Sequence, residues 1–227
     1  MSLLPKSSPY LHAKTSTQQV MQQVMLATLP AMALSYYFFG AGVLLNILLC
    51  CTFGLGVEAA LTYLRQRSIR FALQDNSALV TGVLLGFALP PYSSWWLIFV
   101  AIGFAMVFGK HLYGGLGQNP FNPAMMGYVV VLISFPVAMT SWPAPHSISL
   151  SEGISHVFLG TPLLDGWSQA TVLDQIKNNP GLTLDELWSQ YPAFGIISAS
   201  HIEWMNAAFL LGGIYLLKRR IIGWQAP

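Results

Sequence analysis

Long apolar runs, separated by short polar or proline-containing stretches, follow one another along most of the chain. Apolar runs that contain few charges and approach the length of a bilayer-spanning helix predict transmembrane helices. The chain has about six of them, five within residues 20–142 and a sixth at 204–217. The five cover residues 20–39, 42–64, 77–89, 95–108 and 124–140. This pattern predicts an all-α integral membrane protein with short or broken segments and one long outer loop before the sixth segment.

Two of the interruptions have compositions in which a regular helix cannot continue. Pro90-Pro91 ends the third segment after 13 residues, and a helix of that length rises about 20 Å, less than the roughly 30 Å hydrocarbon core. The stretch from His111 to Pro123 contains three Gly, two Pro and two Asn. Irregular backbone at membrane depth is tolerated only where it is buried in protein or lines a cavity, so we expect one of these arrangements here.

Composition supports the membrane assignment and excludes some partners. Hydrophobic residues make up 54% of the chain and charged residues only 8%, whereas soluble domains average about 25% charged residues. The surface must therefore face lipid in part. A net charge of +2 gives no reason to expect a nucleic-acid partner. Cys50 and Cys51 adjoin each other inside an apolar run and are expected to be buried small side chains, not metal ligands.

The basic residues predict the orientation of the chain. If residues 1–19 form a cytoplasmic or interfacial lead, nine of the ten Lys and Arg residues fall on the cytoplasmic side, and only Lys177 lies outside. The nine are Lys6, Lys14, Arg65, Arg67, Arg70, Lys110, Lys218, Arg219 and Arg220. The positive-inside rule favours this arrangement. Residues 143–203, which hold most of the acids, then form an outer, periplasmic loop, and residues 218–227 form a cytoplasmic end.

Few side chains suggest chemistry within the predicted membrane segments. The five histidines lack the spacing of a metal site and are expected to be interfacial or loop residues. Glu58 is the one acid placed inside a segment, and intramembrane acids often handle ions or protons. The alternative to such a role is that the Glu58 side chain reaches the interface, or pairs with Arg65 or Arg67, which follow it closely in the chain.

One polar segment of the outer loop, residues 164–174, contains hydroxyl side chains and a glycine in an otherwise apolar protein. Thr171 has no obvious base beside it, and an unactivated hydroxyl is a poor nucleophile, so a catalytic role for this threonine is not expected. Asp, Gly, Ser and Thr are ordinary loop residues. Taken by itself, the segment therefore favours a plain loop.

Several longer stretches resemble a known family. They include Asp75–Gly82, Leu89–Pro91 and the very specific run Gly117-Gln118-Asn119-Pro120-Phe121-Asn122-Pro123. Through them the chain resembles the D subunit of the Rnf (Rsx) ion-translocating electron transport complex over nearly its whole length. It is similar, more distantly, to the B subunit of the sodium-translocating NADH:quinone reductase. Members of this family are longer, with further membrane segments in the carboxyl-terminal part.

The resemblance gives the polar segment of the outer loop a role. It implies that a flavin transferase attaches FMN to Thr171 through a phosphoester bond. The residues that match the recognition pattern of the transferase are Asp165, Gly166, Ser168, Ala170 and Leu173. The resemblance also makes a noncovalent riboflavin plausible, without assigning residues to it; the Gly-Gln-Asn-Pro run is the place to look.

The function implied by the resemblance is that of a membrane subunit in a redox-driven ion pump. Its covalent FMN would relay electrons between the ferredoxin and NAD sides of the complex, coupled to Na⁺ or H⁺ movement, with Glu58 as a candidate for the ion path. The chain would not be catalytic alone. Its partners would be the other subunits, the transferase transiently, and the lipid of the bacterial inner membrane.

Two alternatives dispense with flavin. Asn122-Pro123-Ala124 resembles the half-helix signature of water channels, and broken segments are typical of transporters. A channel or transporter of this kind needs a second, inverted copy of the signature, and the sequence contains none. The other alternative is a purely structural membrane subunit that has lost its flavin.

Overall fold

The fold is seen in a computed structural model, which describes residues 16–162, 176–178, 181, 183, 185–186, 195 and 199–223. Helices dominate these residues, and none of them belongs to an extended strand. The predicted all-α class is thus confirmed for the described part of the chain. The number of membrane crossings stays a prediction.

The helices described over their whole length are the following, in chain order. They are α1 (Thr17–Ala27), α2 (Leu29–Phe39), α3 (Gly42–Leu64), α4 (Ile69–Leu73), α5 (Ser77–Ala88), α6 (Trp95–Phe104), α7 (Pro123–Ser134), α8 (Pro136–Thr140), α9 (Leu150–Leu159) and α10 (Ser200–Lys218). Helix α6 continues directly into a π-helical turn at Ala105–Lys110 and a 3₁₀ turn at His111–Tyr113.

Prolines divide two of the predicted segments. The prediction of one helix over residues 20–39 is wrong, because the chain breaks at Thr28 between α1 and α2. Pro30 lies in the first turn of α2, where its missing N–H costs least but an incoming helix cannot continue. The predicted segment 124–140 is likewise two helices. Phe135, the residue before Pro136, leaves the helical region of backbone space (φ −133°, ψ 58°).

Other predicted boundaries agree with the structure. Helix α5 ends at Ala88, just before Pro90-Pro91, and α10 covers the predicted sixth segment. The side-chain amide of Asn46, on α3, donates a 2.7 Å hydrogen bond to the carbonyl of Pro90 and fixes the chain where α5 stops. The predicted outer loop is not wholly irregular, since it contains α9.

Two helices in the described residues are long and apolar enough to cross a membrane. Residues Gly42–Leu64 form one of 23 residues with a mean hydropathy of 1.9, and Trp95–Tyr113 form one of 19 residues with a mean hydropathy of 1.6. Helices α5 and α7 are apolar but have 12 residues each. They rise about 18 Å, so each is shorter than the roughly 30 Å hydrocarbon core.

Helices α3 and α5 pack closely because two glycines of α5, spaced four residues apart, face α3. A Cβ atom at Gly82 would lie 2.9 Å from Cα of Cys51, and one at Gly86 would lie 2.6 Å from Cα of Ile47. Such spacing of small residues is a common way to bring membrane helices together. The side chains that fill the core around this pair include Leu85, Ile98, Ile102, Met106 and Val131.

The bundle has two chemically different ends. We call one the basic end, defined by Ser16 and the Arg65–Arg70 loop, which share a cavity with Lys110. Helix α10 runs antiparallel to α1 and α2, since Tyr215 bonds to Gln23 while the start of α10 contacts the end of α2. The cluster Lys218–Arg220 therefore also lies toward the basic end.

We call the other end the aromatic end. Its rings pack edge-on or tilted against one another, and they belong to Tyr37, Phe38, Phe39, Trp142, His146 and His201. The buried ring of Tyr92, in the turn between α5 and α6, contacts Gly42 and Gly153. The N–H of His146 donates a 2.8 Å hydrogen bond to the carbonyl of Phe38. The described start of the outer loop is thus attached to the aromatic end.

The close approach of α3 and α5 predicts that a larger residue at their contact will destabilise the fold. Gly86→Ala should lower the free energy of unfolding by about 1–3 kcal/mol, because the new methyl group meets backbone that cannot move aside. Gly103→Ala is the matched control, since a Cβ built there meets nothing within 4 Å beyond the adjoining residues and backbone of its own helix, and it should leave stability unchanged or raise it. Denaturant unfolding in detergent micelles measures both, and equal effects would contradict the packing described.

Candidate functional site

A carboxylate and two basic side chains meet inside the helical bundle. Glu58 lies on α3, Lys110 ends the π-helical turn, and His111 begins the 3₁₀ turn. Their exposed fractions are 2%, 3% and 7%. Lys110 Nζ lies 2.8 Å from Glu58 Oε1, and His111 Nε2 lies 2.9 Å from Glu58 Oε2. Each oxygen of the buried carboxylate therefore has its own basic partner.

The start of α5 extends the network. The Lys110 ammonium donates a 2.7 Å hydrogen bond to the Ser77 hydroxyl. That hydroxyl in turn donates to Asp75 Oδ1 at 2.7 Å, and the Ser77 N–H donates to the same oxygen at 2.8 Å. Asn76 has a left-handed backbone (φ 60°), an unusual conformation that Asn tolerates better than most residues. Together with Glu58, these residues connect α3, α5 and the continuation of α6, and we call Glu58, Ser77, Lys110 and His111 the buried charge cluster.

The π-helical turn helps to direct this arrangement. Consecutive residues of a regular α-helix point about 100° apart around its axis, yet Lys110 and His111 both contact one carboxylate. The wider π turn ends at Lys110 and gives way to a tighter 3₁₀ turn at His111, which changes the direction of the side chains. Single π-helical turns are rare and are frequent at functional sites.

The charges of the cluster are paired, and one of its buried nitrogens has no hydrogen-bond partner in the described residues. An unpaired buried charge is very costly, and an ion pair offsets that cost only when further hydrogen bonds satisfy its remaining donors and acceptors. Arg65 Nη2 donates to the carbonyl oxygen of His111 at 2.5 Å. One buried atom of the cluster, His111 Nδ1, has no hydrogen-bond partner in the described part of the chain.

A cavity of about 520 Å³ opens beside the cluster at the basic end. Glu58, Lys110 and His111 form part of its wall, and the rest is mostly polar or basic. Lining residues from four other parts of the chain are Ser16, Arg65, Arg67, Asp75, Gly114 and Gly115. The charge cluster is therefore buried but borders a space large enough for water or a small molecule.

Two predictions about these residues are wrong. Glu58 neither snorkels nor pairs with Arg65 or Arg67, since its partners are Lys110 and His111. Arg65 follows Glu58 by seven residues, which is about 10 Å along a helix and too far for direct contact. His111 is not a loop or interfacial histidine but a buried partner of the carboxylate. The signal that sequence reasoning missed was an adjacent Lys and His directly after an apolar segment.

The stretch from His111 to Pro123 is irregular after the 3₁₀ turn, as predicted. Gly114, Gly115 and Gly117 have φ angles of 110°, 116° and 83°, which are readily adopted only by glycine. Gly114 and Gly115 line the cavity, while most of the following loop is exposed. Asn122 Oδ1 accepts a 3.0 Å hydrogen bond from the N–H of Ala124 and caps α7. The Asn-Pro-Ala sequence therefore serves locally as a helix start.

The residues predicted for flavin attachment lie outside the described residues. They are Asp165, Gly166, Ser168, Ala170, Thr171 and Leu173. The chain leaves the continuously described part at residue 162, after α9, and α10 begins again at Ser200 next to the aromatic end. The buried charge cluster is at the basic end of the bundle, away from the start of α10.

Comparison with known proteins identifies the family. The model of the NQR2, RnfD, RnfE family matches residues 4–227. The chain belongs to this family. Three members, from Ectopseudomonas mendocina, Pseudomonas aeruginosa and Vibrio cholerae, are each named as the D subunit of an ion-translocating oxidoreductase complex. They are 56%, 48% and 45% identical over 227, 229 and 245 residues. The matches cover all of this chain and 66%, 66% and 70% of the respective relatives.

The range matched by the model of the NQR2, RnfD, RnfE family contains both candidate sites. It includes the residues of the buried charge cluster and the Thr171 segment alike. The chain spans just under two thirds of the length of the first two relatives. What those proteins do as whole molecules therefore enters below as a proposal.

The ion pair makes a testable prediction. Lys110→Met should lower the free energy of unfolding by about 3–5 kcal/mol, because it leaves a buried carboxylate without its cation. Adding Glu58→Gln to Lys110→Met should recover part of the loss, since the charge is then removed as well. Lys218→Met, the same change at an exposed position, is the control. Unfolding in detergent measures all three, and additive effects of the two buried changes would contradict direct pairing.

Proposed function

We propose that this chain is a membrane subunit of an ion-translocating oxidoreductase complex and that it carries FMN covalently on Thr171. The observation that carries the proposal is the family match over residues 4–227, together with relatives named as the D subunit of such a complex. The same resemblance supports electron relay between the ferredoxin and NAD sides, coupled to Na⁺ or H⁺ movement. Its partners are then the other subunits in the bacterial inner membrane.

The chemistry of the Thr171 segment suits attachment by another enzyme. The hydroxyl of Thr171 has no base within the segment to activate it, so a transferase must supply that activation. Asp165, Gly166 and Ser168, with Ala170 and Leu173, are proposed to be the residues that the transferase recognises. The bound flavin would supply one- and two-electron transfer, and the chain would supply the attachment and its position.

The distribution of charge supports an outer position for the flavin. The Arg65–Arg70 loop and Lys218–Arg220 lie toward one end of the bundle, and the described start of the outer loop is attached to the other end. The positive-inside rule favours the cytoplasm for the basic end. We therefore place Thr171 on the periplasmic side and residues 1–19 in the cytoplasm.

The two further proposals concern the basic end. The cavity of about 520 Å³ falls within the range of roughly 300–1,000 Å³ of small-molecule sites, so its size is compatible with the noncovalent riboflavin. Its wall includes Gly114 and Gly115, which shortly precede the Gly-Gln-Asn-Pro run. Glu58 is proposed for the ion path because it is a charged side chain buried in a predicted span. Both of its oxygens are paired with basic groups, so any ion must exchange with Lys110 or His111.

Attachment of FMN can be tested by mass. The chain should be produced in a host that contains the flavin transferase, and its intact mass should exceed that of the polypeptide by one FMN-phosphoryl group. The fluorescent band on a denaturing gel should vanish in Thr171→Ala. Thr161→Ala, the same change ten residues earlier, is the matched control and should keep the band. Flavin retained in Thr171→Ala, or absent from the unchanged chain in that host, would refute the proposal.

A further inference from the structure

The hydrogen bonds of His111 define which of its ring nitrogens carries a proton. Glu58 forms an ion pair with Lys110 at 2.8 Å through Oε1, so its second oxygen, Oε2, is an acceptor. His111 Nε2 lies 2.9 Å from that oxygen and must therefore be the donor. A neutral imidazole has only one N–H. In this tautomer the other nitrogen, Nδ1, has a bare lone pair.

That nitrogen is buried and has no hydrogen-bond partner in the described residues. His111 is more than nine-tenths buried, and Nδ1 has no hydrogen-bond partner among residues 16–162 or the later described residues. Buried polar atoms in native proteins almost always have a partner, and an exception calls for an explanation such as a ligand or a chemical role. His111 also lines the cavity at the basic end, which gives this nitrogen a nearby route for a proton.

The surrounding charges come from several elements. On α3, the carboxylate of Glu58 contacts the ring directly, while Arg65, just beyond α3, bonds to the main-chain carbonyl of His111. Lys110 precedes it in the chain and binds Ser77, which links it to Asp75 before α5. Arg67 lines the same cavity. Two carboxylates and three basic side chains therefore lie around the cluster.

We propose that His111 is a proton-accepting site of this chain, in which Nδ1 takes up a proton that enters through the cavity. The donor is a hydronium ion in the cavity: its O–H bond breaks as the N–H bond forms at Nδ1, and a water molecule is left behind. The resulting imidazolium keeps its Nε2–H donated to Glu58, and the charge of the cluster rises by one. Glu58 acts as a positioning residue, because a carboxylate on one ring nitrogen fixes the tautomer and stabilises the charged ring.

A role for this protonation in ion movement rests on the proposed function, but the protonation itself does not. It needs neither flavin nor partner subunits. It can therefore be measured on the full chain carrying Thr171→Ala, in which the failure of the flavin proposal has no effect on the result.

The test is a nitrogen NMR titration of the full chain, labelled with ¹⁵N-histidine and embedded in phosphatidylcholine vesicles. The signals of His111 are identified by their loss in His111→Gln. His146, bonded to Phe38 at the aromatic end, and His156, on α9, serve as internal references. At high pH the spectrum should show a proton on Nε2 and none on Nδ1. On acidification, Nδ1 should become protonated while Nε2 stays protonated.

Two variants separate a proton-accepting site from a merely structural pair. Glu58→Gln should allow both neutral tautomers of His111 at high pH, because the amide can donate as well as accept and no longer holds the proton on Nε2. Arg65→Gln, which leaves Glu58 in place, is the control and should keep the proton on Nε2. If Glu58→Gln does not fold, Glu58→Asp and the unchanged chain still decide the matter. The inference is overturned if Nδ1 carries the proton at high pH, if acidification leaves Nδ1 unprotonated while the chain stays folded, or if Glu58→Gln keeps the single tautomer.

Discussion

A carboxylate inside an apolar helical bundle must be neutralised, and this requirement determines much of the structure. Glu58 is buried on α3 and can be tolerated only because Lys110 and His111 reach it from the continuation of α6. Ser77 adds α5 to the same network. The contact therefore fixes three helices relative to one another, beside the glycine-mediated packing of α3 on α5. It also draws the chain around Arg65 and Gly114 into the wall of one cavity.

The two ends of the bundle offer different chemistry. The basic end combines paired buried charges, a cavity and a glycine-rich loop, which suits exchange of protons or ions. The aromatic end is built from packed rings and carries the start of the loop that leads to Thr171. In the proposed function, electrons pass at one side and ions are handled at the other. Two helices connect the two ends: α3, and α6 together with its continuation to Tyr113. Both are long enough to cross a membrane.

The apolar pattern predicted the helical class, the stop at Pro90-Pro91 and the position of α10, because each depends on local composition. It missed the breaks at Thr28 and Phe135, since a run can stay apolar while one proline interrupts its hydrogen bonds. The partners of Glu58 could not be read from the sequence either. They lie more than 50 residues away and meet it only because a π-helical turn redirects them. The role of Thr171 comes from family resemblance alone, for its own segment reads as an ordinary loop.

The proposed function requires that the basic end and the Thr171 segment face opposite sides of the membrane. Single cysteines test it most directly, introduced as Ser68→Cys in the basic loop or Gln169→Cys beside Thr171 after Cys50 and Cys51 have been changed to Ala. A thiol reagent that cannot cross the inner membrane should reach Gln169→Cys in cells with a permeabilised outer membrane, and should reach Ser68→Cys only after the inner membrane is opened. Labelling of both positions from the same side would contradict the account.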